Sequence, residues 1–168
     1  MYTLSLKNFI QTALLLVTCL VYSTSYAAQA EAPVNPKVKE SMKVMKGWAK
    51  ILGEAKLDGE NLYFGKTHLN ADFFIVDGLK SKFGGTATFF AKKGDGFIRV
   101  STNVMKDGKR AVGTMLDPTG PVIAAIKQGK GFYGTVDILG KMYDTGYEPI
   151  FTSKGEIVGI FYVGYAVQ

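Results

Sequence analysis

Thr86-Ala-Thr-Phe-Phe-Ala91, Lys92-Lys-Gly-Asp-Gly96 and Phe97-Ile-Arg-Val-Ser-Thr102 follow one another without a break. The outer two segments are rich in β-branched and aromatic residues, and the middle one supplies glycines for the positive φ that tight hairpin turns require. This reads as two antiparallel strands. Asp107-Gly108 marks another turn before Ala111–Leu116, and three more strands are expected over Phe132–Ile138, Met142–Ile150 and Ile157–Tyr165, the last two joined by a turn at Ser153–Glu156.

Upstream the period changes. Asn35 suits a helix cap and Pro36 the first helical position. Val38, Met42, Met45, Ala49 and Leu52 then fall on one helical face, with Trp48 and Ile51 beside it and Lys39, Lys43, Lys46 and Lys50 on the outer faces, up to Gly53. Such a basic amphipathic helix can lay one face on a core or partner helix, or on a membrane surface. Asn61–Gly65 reads as the entrance to the sheet and Ala71–Gly84 as a short helix. A second short helix is expected to open at Asp117-Pro118 and run through Val122–Ile126 to Gly129. One long helix, two short ones and about five strands in antiparallel order make an α+β domain.

The first thirty residues read differently. A basic start at Lys7, an apolar run from Phe9 to Val21 and a small-residue exit match the three parts of a secretory signal peptide, with cleavage after Ala27 or Ala30. The domain organisation expected is therefore a signal peptide over 1–30 and one domain over 31–168, in a protein that is periplasmic or secreted. Cys19, the only cysteine, lies in the apolar run; Leu16-Val17-Thr18-Cys19 fits a lipid-attachment box poorly because of the threonine, and the mature chain is expected to lack cysteine and disulfides. After residue 30 the count is 19 basic against 14 acidic residues. Their even spread and the exported destination speak against nucleic acid.

Several strings, in this order, resemble the single Cache domains of chemoreceptors and sensor kinases, in particular the Cache-3/Cache-2 fusion type. They are Asn61–Gly65, Gly84–Phe89, Arg99–Val104, Arg110–Thr114, Gly134, Tyr147–Ile150 and Gly155–Gly164. The resemblance implies a PAS-like fold, with a long N-terminal helix packed on a roughly five-stranded antiparallel sheet and a small ligand bound on the sheet's other side. It further implies a helix that often pairs with its copy in a homodimer, and work in signal transduction or chemotaxis. The usual receptor continues into a membrane helix and signalling module; this chain is expected to rely on a separate membrane receptor.

Alternation along a strand puts Arg99, Ser101 and Asn103 on one face, and a guanidinium there can grip a carboxylate bidentately. The open alternative is that Arg99 makes a structural ion pair. Related citrate- and dicarboxylate-sensing domains carry Arg-x-Ser-His in this region; here Thr102 replaces the histidine, and Thr145 stands where a second arginine would be. Lys141, Tyr143, Thr145 and Tyr147 share a second face, and Tyr133 is a further aromatic candidate. One cationic anchor, with Lys141 as a candidate second, suits a monocarboxylate or another small polar metabolite better than citrate.

The material for catalysis is thin. His68 is the only histidine, there is no HExxH string, Gly134–Lys141 fails as a phosphate loop, and no G-x-S-x-G elbow exists. No cofactor and no metal site are expected, and the chain does not read as an enzyme. Two readings stand: a small-molecule-binding sensor domain, or a Cache scaffold whose pocket is filled by side chains and which docks a protein or membrane.

Overall fold

The computed structural model describes residues 35–167. The expected signal peptide, its two cleavage sites and Cys19 lie outside these residues. Helix α1 (Pro36–Leu52) begins as its capping residues dictate: the Asn35 side chain accepts a hydrogen bond from the Lys37 amide and Pro36 takes the first turn. Val38, Met42, Met45 and Ala49 are buried on one face, while Leu52 and Trp48 are half-buried. Ile51, expected beside that face, is instead 82% exposed. It sits more than 90° around the helix from Met45 and Ala49, beyond the reach of the core.

Gly53 closes α1 at φ 126°, and a β-carbon there would press on the backbone of Gly65. This contact fixes a small three-stranded sheet against the helix end, in order β1 (Ala55–Asp58), β2 (Asn61–Phe64) and β3 (Thr67–His68). Asn61–Phe64 is thus not the entrance to the main sheet, as the sequence suggested, but the middle strand of a separate one. Helix α2 (Phe74–Phe83) follows and ends on Gly84 in the left-handed conformation.

The main sheet holds β4 (Thr86–Lys93), β5 (Gly96–Thr102), β8 (Phe132–Asp137), β9 (Met142–Phe151) and β10 (Ile157–Ala166) in the order β5-β4-β10-β9-β8, every neighbour antiparallel. Between β5 and β8 the chain forms a short hairpin, β6 (Met105–Lys106) and β7 (Lys109–Arg110), turning at Asp107-Gly108 as expected. Residues 111–116 then run along the outer edge of β5, with Gly113 and Leu116 donating to the carbonyls of Arg99 and Phe97, and Thr114 accepting from the Arg99 amide. Helix α3 (Pro121–Lys127) starts later than Asp117-Pro118 promised. Asp117 spends its carboxylate on Thr119, capping a turn, and Gly120-Pro121 begins the helix proper.

The sheet has a core on each face. On the near face α1 and α2 cover Phe89, Ile150, Phe161 and Val163. Closest approach falls at Gly146, where a β-carbon would meet Tyr133 at 2.7 Å and Val38 at 2.9 Å. On the far face Phe90, Tyr147, Ile160 and Tyr162 pack with Val122, Ile123 and Ile126 of α3. None of the described helices is long and apolar enough to cross a membrane.

Candidate functional site

The far face carries a cation with little to hold it. Arg99 pairs with Phe90 across β5 and β4, which places its side chain in the far-face core at 5% exposure. Its Nη1 donates to Thr114 Oγ1 at 2.7 Å, and the guanidinium lies over the Phe90 ring, 4.9 Å from the centroid. Nε is buried with no hydrogen-bond partner, and among the described residues no ion pair joins Arg99 to a carboxylate. The structural ion pair that the sequence left open is therefore absent from the described residues. Loss of hydration lowers the Arg99 pKa, with the nearby phenols of Tyr147 and Tyr162 working in the opposite direction.

Those two tyrosines form the wall beside it. Both are fully buried, with ring centroids 4.9 Å apart, and Tyr162 shares a hydroxyl hydrogen bond with Thr86. Burial pushes both phenols above the usual tyrosine value. Tyr143 packs partly into the same cluster, and Thr145 lies between the two on the same side of β9, donating to the Gly134 carbonyl. The expected face of β9 is thus formed by Tyr143, Thr145 and Tyr147. Lys141 is not part of it: it is exposed in the turn before β9, where its backbone bonds to Ile138.

On β5 the expected alternation fails. The ladder pairs Phe89 with Ser101 and Phe90 with Arg99, so Val100 is an extra residue and the strand bulges there. The bulge turns Ser101 and Asn103 to the near side, where Ser101 Oγ donates to the Asp72 carbonyl and Asn103 Nδ2 to the Val76 carbonyl. They brace α2 and do not share a face with Arg99. Tyr133 is also on the near side, donating to Glu148, which pairs with Lys46, while Lys39 lies 5.9 Å over its ring. Phe90, Thr114 and Tyr162 surround Arg99 without having been singled out from the sequence. Period-two reading of Ile157–Tyr165 would have put Ile160 and Tyr162 on one face; nothing local in Ala111–Leu116 announces Thr114.

A groove of about 960 Å³ lies elsewhere, between α1 and the end of β9, with Phe64, Ile150 and Phe161 at its base and the Lys46–Glu148–Tyr133 chain along its wall. His68 stacks on Tyr63 and shares a hydrogen bond with Asn61. Among the described residues no cluster of three His, Cys, Asp or Glu side chains is placed to hold a metal.

The family model described as the Cache 3/Cache 2 fusion domain matches residues 37–168. No curated protein matches the chain.

Proposed function

The chain belongs to the Cache 3/Cache 2 fusion domain family, a family of extracytoplasmic sensor domains and not of enzymes, and on that footing we propose that it binds a small organic anion through Arg99. One observation carries the reading: a buried guanidinium whose Nε has no partner and which no described carboxylate neutralises. An unsatisfied buried donor on a charged group is costly, and is retained where a ligand completes it. With Nη1 engaged by Thr114, the edge formed by Nε and Nη2 is the one that suits a carboxylate. Phe90 behind the guanidinium and the Tyr147–Tyr162 pair beside it would sandwich the body of the ligand. Residues 1–30 act in this reading as the export signal of a periplasmic or secreted protein, and a separate membrane receptor takes the message onward.

A second reading is favoured by the completeness of the far-face core. Tyr147 and Tyr162 are fully buried and share one core with Val122, Ile123 and Ile126 of α3, so the face that carries Arg99 is packed with large side chains. A domain filled in this way would act as a scaffold. Thermal denaturation in the presence of small carboxylic acids, amino acids and phosphates separates the two. A ligand at a hundred times its dissociation constant stabilises the domain by about 2.7 kcal/mol. A shift confined to carboxylates and lost in Arg99→Ala supports the sensor; no shift with any carboxylate overturns it in favour of the scaffold.

A further inference from the structure

The helical layer on the near face carries charge and exposed apolar surface together. Helices α1 and α2 hold seven lysines, all exposed, against two acidic residues, Glu40 and Asp77. Since the sequence after residue 30 has 19 basic and 14 acidic residues, the remainder balances at twelve of each, and the net charge of +5 belongs to these two helices. The same layer carries the two most exposed large apolar side chains among the described residues, Ile51 at 82% and Phe74 at 84%. They stand on neighbouring helix ends, the last turn of α1 and the first of α2. Leu52 and Phe74 wall one small cavity, and the Trp48 ring rests on Gly78, one turn along α2 from Phe74.

Val44, Trp48 and Ile51 recur at helical spacing; Val44 and Trp48 are half-buried against the core, with the Trp48 ring on Gly78, and Ile51 carries the row out to the surface. A helix that served only the core would be polar there. We propose that this face docks on an anionic phospholipid surface, with Ile51 and Phe74 entering the interfacial region, Trp48 at its boundary and the lysines of both helices against the head groups. Apolar side chains beside a basic face are the composition that seats a helix in the plane of a membrane interface, and an indole with one apolar and one polar edge suits the boundary. A second copy of the chain is a poorer occupant, since a two-fold contact through this face would set one basic layer against another. The proposal does not depend on Arg99, which lies across the sheet and would face away from the membrane.

Trp48 is the only tryptophan in the chain, so its fluorescence reports this face alone. The protein recovered from the extracytoplasmic fraction is titrated with vesicles of phosphatidylcholine containing phosphatidylglycerol, and with vesicles of phosphatidylcholine only. A blue shift of Trp48 and its quenching by brominated acyl chains are expected with the anionic vesicles, both receding as salt is raised. Ile51→Ser combined with Phe74→Ser should weaken the interaction at least about tenfold while leaving the melting temperature unchanged, because both side chains are already exposed. No quenching with anionic vesicles, or quenching equal in the double variant, overturns the proposal. So does a concentration-dependent dimer that the double variant abolishes, for then the face belongs to a second copy.

Discussion

Replacing Arg99 by methionine asks whether the guanidinium holds the fold or waits for a ligand. Methionine is unbranched, flexible and uncharged and reaches to the position of Nε, so most of the far-face core stays filled. The substitution forfeits a charged hydrogen bond from Nη1 to Thr114, worth about 1.5–3 kcal/mol, and a contact with the Phe90 ring worth about 0.5–2 kcal/mol. It also removes the cost of a buried charge, several kcal/mol after relaxation, and of the unsatisfied Nε, about 1–3 kcal/mol. Thr114 keeps a partner, since its hydroxyl also donates to the Ala111 carbonyl. The balance runs from neutral to about 2 kcal/mol of added stability, and for a domain of this size that raises the melting temperature by up to roughly 10 °C. The assay is thermal and urea denaturation of Arg99→Met beside the unaltered protein without ligand, followed by the carboxylate panel. Equal or greater stability with all carboxylate response lost is the expected result. A loss of more than about 2 kcal/mol would refute the reasoning, because Arg99 would then be a structural element of the core.

Tyr147→Phe should leave the melting temperature within a few degrees and weaken carboxylate binding up to about tenfold, as loss of one hydrogen bond does; titration calorimetry measures it. Gly146→Ala drives a methyl into Tyr133 and Val38 where α1 crosses the sheet, and should cost about 1–3 kcal/mol in urea unfolding, whereas Gly47→Ala, which meets nothing within 4 Å, should cost nothing and add helix propensity. Burial raises the Tyr147 and Tyr162 pKa values, so the folded state retains protons that the unfolded chain releases near pH 10. Stability from these groups is therefore complete below pH 10 and should fall above it by about 2–3 kcal/mol per pH unit, visible as a drop in the urea midpoint; a midpoint that is flat to pH 12 would contradict their burial.

Most of the fold could be read from local chemistry. Asn35-Pro36 and Gly53 bound α1, Gly84 closes α2, and the glycines of Lys92–Gly96 turn the hairpin, because caps and tight turns depend on residues next to each other in sequence. What was missed depends on contacts far apart in sequence. Asn61–Phe64 has the composition of a strand in any sheet; that it belongs to the small one follows from Gly65 meeting Gly53 at the end of α1. The late start of α3 has a local cause that composition hid: Asp117 satisfies Thr119 at once, ending the turn before a helix can grow from it.

The candidate site was half legible for one geometric reason. Strict alternation along β5 grouped Arg99 with Ser101 and Asn103, and the bulge at Val100 separates them. The separation has a consequence for chemistry. Had β5 continued flat, Ser101 would lie beside the guanidinium and supply a hydroxyl to whatever it grips. Instead Ser101 and Asn103 hold the backbone at Asp72, just before α2, and at Val76 within it, while the hydroxyl beside Arg99 comes from Thr114, on the segment that borders β5. That segment also bonds Arg99 through its backbone amide and carbonyl, so side chain and main chain of the cation are tied to the same five residues from Ala111 to Met115. Thr114→Val, which keeps the shape and removes the hydroxyl, should therefore free Nη1 as well as Nε. If Arg99 is a ligand anchor, carboxylate affinity changes while the fold persists. If the guanidinium serves only the core, Thr114→Val lowers stability by about 1–3 kcal/mol and no carboxylate restores it.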